Sequence, residues 1–155
     1  MFSKKMFILA TVVSSIGFGI AAPNIHADNV ANATSSQVSN SAKYTDGMYQ
    51  VNTTYLKQGT TNASTMGKYM SAVSDVTIKG NTAKLTISAN SASSAKMITG
   101  FSINGTSGVK NGNSWTFTLP TSVLENTLNG HVDINVIFFT ESQPVDVKLD
   151  MSSVN

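Results

Sequence analysis

Residues 131–151 read HVDINVIFFTESQPVDVKLDM, and their alternation decides the fold class. Val132, Ile134, Val136 and Phe138 fall on one face of an extended chain, and Val145, Val147, Leu149 and Met151 on one face of a second. A period of two in β-branched and aromatic residues, with polar residues between, marks strands that have one buried and one wet face. The segment around 140–144 is read as the turn that joins them.

The same period recurs upstream. Residues 48–57 alternate Tyr49, Val51, Thr53 and Tyr55, and residues 73–87 read as a hairpin, with Val76 and Ile78 before Lys79-Gly80-Asn81 and Leu85 and Ile87 after it. Residues 97–103 alternate Met97, Thr99, Phe101 and Ile103, and Asn104-Gly105 and Asn111-Gly112 mark turns. Trp115, Phe117 and Leu119 share a face before Pro120 ends the strand, and residues 122–128 have room for one helical turn. Roughly seven short strands with little helix predict an all-β fold, an immunoglobulin-like antiparallel β-sandwich. The convincing helical interruption is 64–71, one short helix after the first strand.

Ahead of this region the chain changes character twice. Lys4 and Lys5 precede an apolar run from Met6 to Ala22, and Ala27 offers a small residue at a cleavage point before Asp28, so residues 1–27 read as an export signal. A membrane anchor is the competing reading, but the run is slightly short and polar for a bilayer span. Residues 28–43 are small and polar without apolar period and read as a flexible spacer. The folded domain is expected over 44–151, with 152–155 as a tail. A protein secreted to the medium or held at the cell wall follows, with no membrane span once the signal is removed.

Composition narrows the function. The 155 residues include 21 Ser, 18 Thr and 15 Asn, ten Lys, no Arg and no Cys, and only 12% are charged, against about 25% in an average domain. Without the leader, eight lysines face eight acids and one histidine remains. No basic face of any size can be built from these, which excludes nucleic acid as a partner class. Absence of Cys excludes disulfides and thiolate metal sites, and the carboxylates do not follow a calcium-loop spacing. Sequons at Asn32, Asn52, Asn62 and Asn104 are expected by chance in a chain so rich in Asn, Ser and Thr.

Catalysis lacks material. His131 would need Asp133 or Asp150 and an activated Ser, and no nucleophile-elbow sequence exists, so it reads as an exposed polar residue at a strand start. Glu141 with Asp146 or Asp150 makes a carboxylate pair without the flanking subsites of a hydrolase. No catalytic residue and no resident metal site is assigned. One cluster stands out: Ser64, Met66, Tyr69 and Met70, where a helix would bring Met66, Tyr69 and Met70 to one apolar edge. Capping one end of the sandwich is its simplest role.

These residues also carry a resemblance. Asp46-Gly47-Met48-Tyr49-Gln50-Val51, Leu56-Lys57, the Ser64/Met66/Tyr69/Met70 cluster, the Val76 to Asn81 hairpin and the closing Val145-Asp146-Val147-Lys148-Leu149-Asp150 together resemble a NEAT (near-transporter) domain, over roughly 44–151. The resemblance implies an immunoglobulin-like module from the surface of Gram-positive bacteria that takes haem between its short helix and last hairpin. It places Ser64 on a haem propionate and Met66 and Tyr69 over the ring, and Met66 approaches the iron as the helix Met of some relatives does. In ungapped register the family's ligand tyrosine and its hydrogen-bonding partner fall at Glu141 and Val145, and no tyrosine follows Tyr69.

Ferric iron favours hard anionic oxygen, which Glu141 supplies without the second hydroxyl. Haem would then enter as a flat apolar ligand between Met66, Tyr69, Phe138 or Phe139 and Val145. The function expected is binding of haem or a related tetrapyrrole for iron acquisition, with weakened or non-tyrosine ligation and a haem-carrying protein as a partner. The alternative is a haem-independent cell-surface module that keeps the fold and binds another protein.

Overall fold

Alternation in the sequence becomes alternation in burial. In the computed structural model residues 42–137 and 139–154 are described; the expected leader, the spacer up to residue 41 and Phe138 lie outside the described residues. Nine strands occur among the described residues: β1 Gly47–Leu56, β2 Val73–Lys79, β3 Thr82–Ser88, β4 Ile98–Ile103, β5 Thr106–Ser107, β6 Val109–Asn111, β7 Ser114–Pro120, β8 Leu128–Val136 and β9 Phe139–Leu149. Val76 and Ile78 in β2, Ala83, Leu85 and Ile87 in β3, and Trp115, Phe117 and Leu119 in β7 are all buried. Register places Leu85 between Val76 and Phe117, and Ile87 beside Trp115, so the apolar residues form continuous rows across the sheet.

All pairings are antiparallel, in the order β5-β4-β8-β9-β1-β2-β3-β7-β6. β1 serves two sheets: its residues 47–52 pair with β2, and its residues 53–56 pair with β9. The result is the expected sandwich. Phe101 of β4 joins the two layers by meeting Phe117 and Trp115 edge to face, with ring centroids 5.2 and 6.2 Å apart. The β4–β5 turn, Asn104-Gly105, has both residues at positive φ, 48° and 76°, a conformation Asn and Gly tolerate better than other residues.

Three expectations about local structure change. The last turn falls between Val136 and Phe139, which pair with each other, and residues 140–144 belong to β9. Pro144 is tolerated there because, among the described residues, that half of β9 has a strand on one side only, where a missing N–H on the open side costs no ladder bond. The helix after β1 is a 3-10 turn of four residues, Thr65–Lys68, and Met70 has left it for an isolated bridge with Ala89. A six-residue α-helix, α1 Ala92–Met97, was not expected; Ser91 caps it, accepting from the Ser94 N–H at 3.1 Å. Met97 therefore closes a helix, and an irregularity in the β4–β8 register between Ile98 and Gly100 buries Ile98 and Phe101. A second 3-10 turn, Thr121–Val123, answers the helical turn expected near 122–128.

Candidate functional site

β1 ends at Leu56, which pairs with Asp146, so among the described residues positions 139–145 of β9 have β8 on one side and no strand on the other. The chain leaving β1 folds back on itself. Lys57 N–H donates to the Asn62 carbonyl at 2.8 Å, Ala63 bridges Leu56, and Ser64 N–H donates to the Tyr55 carbonyl at 2.9 Å. Asp146, buried, holds the tip of this loop by accepting the Gly59 N–H at 2.8 Å. The 3-10 turn starts where the loop returns: Ser64 Oγ accepts the Met66 N–H at 3.2 Å, and Tyr69 N–H donates to the Met66 carbonyl at 2.9 Å.

The end of the turn is tied from two directions. From below, Tyr55 donates its hydroxyl to the Ser71 carbonyl at 3.0 Å, and burial raises its phenol pKa above the ordinary value. From the side, Asn90 donates its backbone N–H to the Tyr69 carbonyl at 2.9 Å and its side-chain amide to the Lys68 carbonyl at 2.5 Å. Asn90 also accepts from Ser94 of α1 at 2.8 Å, so the turn and α1 share one anchor. Lys110 fixes the other end of α1 by donating to the carbonyls of Ala95 and Ile98, both at 2.7 Å, while lying over the Trp115 ring.

Between the turn and the β8–β9 hairpin lies a groove of about 680 Å³, a size common among small-molecule sites. Met66 and Tyr69 form one wall; Ile134, Glu141, Gln143 and Pro144 form the other. Lys57, Gln58, Ser64 and Thr65 make one end polar. Beside Met66 and Tyr69 a smaller apolar recess of about 110 Å³ reaches Met97 and Ile98. Ile134 and Glu141 are cross-strand partners. Glu141 is exposed, and the Gln143 amide donates a hydrogen bond to its Oε1. Among the described residues no group of three or more His, Cys, Asp and Glu is arranged to hold a metal ion by protein alone.

Four of the six residues singled out from the sequence, Ser64, Met66, Tyr69 and Glu141, meet in this groove. Phe139 belongs to the same face of β9 as Glu141 but lies at the hairpin end, 59% exposed and outside the lining. Val145 is a correction. Along one face of β9 the residues run from Phe139 and Glu141 in the open, through Gln143, to Val145, which is fully buried against Gly130. Gln143 is half-buried and the face enters the core at Val145, which therefore has no surface to offer a ligand. His131 is exposed on β8, as its sequence context suggested.

Sequence reasoning missed Lys57, Gln58, Thr65, Ile134, Gln143 and Pro144 in the groove, and Met97 and Ile98 in the recess, as lining residues. Gln143 was findable, being two residues from Glu141 on the same strand face, once residues 140–144 are taken as strand. Met97 was hidden because its neighbours, Ser and Ala, carry no helical apolar period.

The sequence profile of the NEAT family, described as the Iron Transport-associated domain, matches residues 42–153. Among solved structures the chain is similar to the NEAT5 domain of IsdX2, a B. anthracis haemophore in complex with haem. The identity is 20%, over 68% of this chain and 97% of that one, with a TM-score of 0.58. A mutant of the same domain in complex with haem is similar at 20% identity, over 68% and 96% of the two chains, with a TM-score of 0.57. At that identity the likeness establishes the fold. No curated protein matches the chain.

Proposed function

The chain belongs to the NEAT family, and from that premise we propose that its groove binds haem or a related tetrapyrrole for iron acquisition, with an iron donor other than tyrosine. The observation that carries this is the convergence of Met66, Tyr69 and Ile134 as apolar surface with Lys57 and Ser64 at one polar end. A porphyrin presents the same division, a flat apolar macrocycle with carboxylates on one edge. The Ser64 oxygen accepts the Met66 N–H and keeps its own proton to donate to a propionate, while Lys57 offers a cation. Similarity to the fold of haem-bound NEAT5 domains supports the same choice of ligand.

The protein acts as a carrier, taking haem from solution or from a haem-carrying protein, and no catalytic role is assigned. Its leader supports export to the medium or to the cell wall; among the described residues no helix is long and apolar enough to cross a membrane. Titrating haemin into the protein tests the proposal. A saturable, shifted Soret band that weakens in Tyr69→Ala is expected; no shift at micromolar protein would overturn it.

One observation favours a second reading, capture of another surface protein. Ile137 at the hairpin tip is 91% exposed and Phe139 59% exposed. If that is the function, Ile137→Asp abolishes partner capture while Met66→Ala and Tyr69→Ala leave it intact.

A further inference from the structure

We propose that Glu141, oriented by Gln143, would supply an oxygen donor to ferric haem in this groove, a proposal that rests on the haem reading above. Away from the polar end at Lys57, Gln58, Ser64 and Thr65, the groove walls offer the Met66 thioether, the Tyr69 phenol, the Glu141 carboxylate and the neutral amide of Gln143 as donors. Ferric iron prefers hard anionic oxygen over a thioether. A carboxylate carries its charge at neutral pH, whereas a phenol has to lose a proton before it becomes an anionic donor. Tyr69 also stands on the wall formed by the 3-10 turn, beside the buried Met66, where it would serve to cover a flat ligand.

Glu141 stands on the opposite wall with its carboxylate already engaged. Gln143 Nε2 donates to Oε1, which leaves Oε2 for a metal. A glutamate on an exposed strand face has many rotamers, and fixing one of its oxygens reduces the freedom lost on ligation. Such hydrogen bonds to a ligating carboxylate orient it and tune its basicity. Residues 141 and 143 can act together because they lie on one face of an extended strand, and the half-buried Gln143 is the last side chain of that face before it enters the core at Val145. A two-residue pair therefore does here what a four-residue pair cannot, since the fourth residue is sealed in the core. Gln143 is a positioning residue in this scheme and does not touch iron.

The experiment compares three probes on the full protein: haemin, gallium(III) protoporphyrin IX, which carries the same metal charge, and metal-free protoporphyrin IX, which has the same shape without a metal. Glu141→Gln should lower affinity for haemin and the gallium porphyrin tenfold or more and leave the metal-free porphyrin unchanged. Gln143→Leu should act in the same direction, by about tenfold, as is typical when an outer hydrogen-bond partner is removed. A purely structural role for Gln143 would instead move all three probes together. Both positions lie at the groove surface, so their variants should fold. Binding of all three probes with no change in Glu141→Gln would overturn the ligation and leave the groove standing; binding of none would overturn the haem reading and the ligation with it.

Discussion

The Tyr55 hydroxyl donates to the Ser71 carbonyl at 3.0 Å, so a buried residue of β1 holds the far end of the turn that walls the groove. Removing that one oxygen in Tyr55→Phe leaves the carbonyl without this partner. The expected loss is about 1 kcal/mol in denaturant unfolding, together with weaker haem binding. Unchanged stability would mean that water replaces the bond.

Alkaline pH should destabilise the fold through the tyrosines. Burial, then the hydrogen bond to Glu125, pushes the Tyr44 phenol up to about 12, and burial raises Tyr55 as well. A phenol that holds its proton more tightly when folded contributes stability fully present below its unfolded value, near 10, and lost as pH rises through the folded one. The urea midpoint should fall between about pH 9 and 12, and fall less in Tyr44→Phe. A midpoint that is flat over that range contradicts the assignment.

Position 145 and position 141 should respond oppositely to tyrosine. Val145→Tyr forces a large side chain into a closed core and should destabilise by about 1–3 kcal/mol or more. Glu141→Tyr places a phenol on the groove wall and should give a ferric phenolate charge-transfer band with haemin. A stable Val145→Tyr variant with that band would return position 145 to the site.

These two positions also mark how far the sequence could be read. Alternation in residues such as Val76, Leu85 and Phe117 announced the strands, because a half-buried sheet demands a period of two. The same period could not locate the last turn: Ile137 is apolar and lacks turn chemistry, while Pro144 looked like a break although it sits in a strand. Where a strand face leaves the core is set by the end of a neighbour, here β1 at Leu56. That boundary is tertiary, so Val145 and Glu141 looked equivalent in sequence. α1 was missed because six residues of Ser, Ala, Lys and Met are too few to show a helical face.

Ser64 has two roles with separate signatures. Ser64→Ala removes the cap on the Met66 N–H and should lower stability by about 1 kcal/mol. Since propionates are common to haemin and metal-free protoporphyrin, affinity for both should fall together. A loss confined to haemin would place Ser64 near the metal instead.

Lys110 lies outside the groove lining but holds α1, whose last residue Met97 lines the apolar recess. Lys110→Met strips two carbonyls of a charged donor and should cost about 1–3 kcal/mol. Faster hydrogen exchange in residues 92–98 and altered Trp115 fluorescence should accompany it. Normal exchange there would show α1 to be held by other contacts.

The most direct measurement is the map of amide chemical-shift changes when the diamagnetic gallium(III) protoporphyrin IX is added to the protein. Binding in the groove should move residues 64–69, Ile134 and residues 139–143 and leave β3 and β7, on the other sheet, in place. No saturable change, or changes confined to another surface, would contradict a tetrapyrrole site between the 3-10 turn and the β8–β9 hairpin.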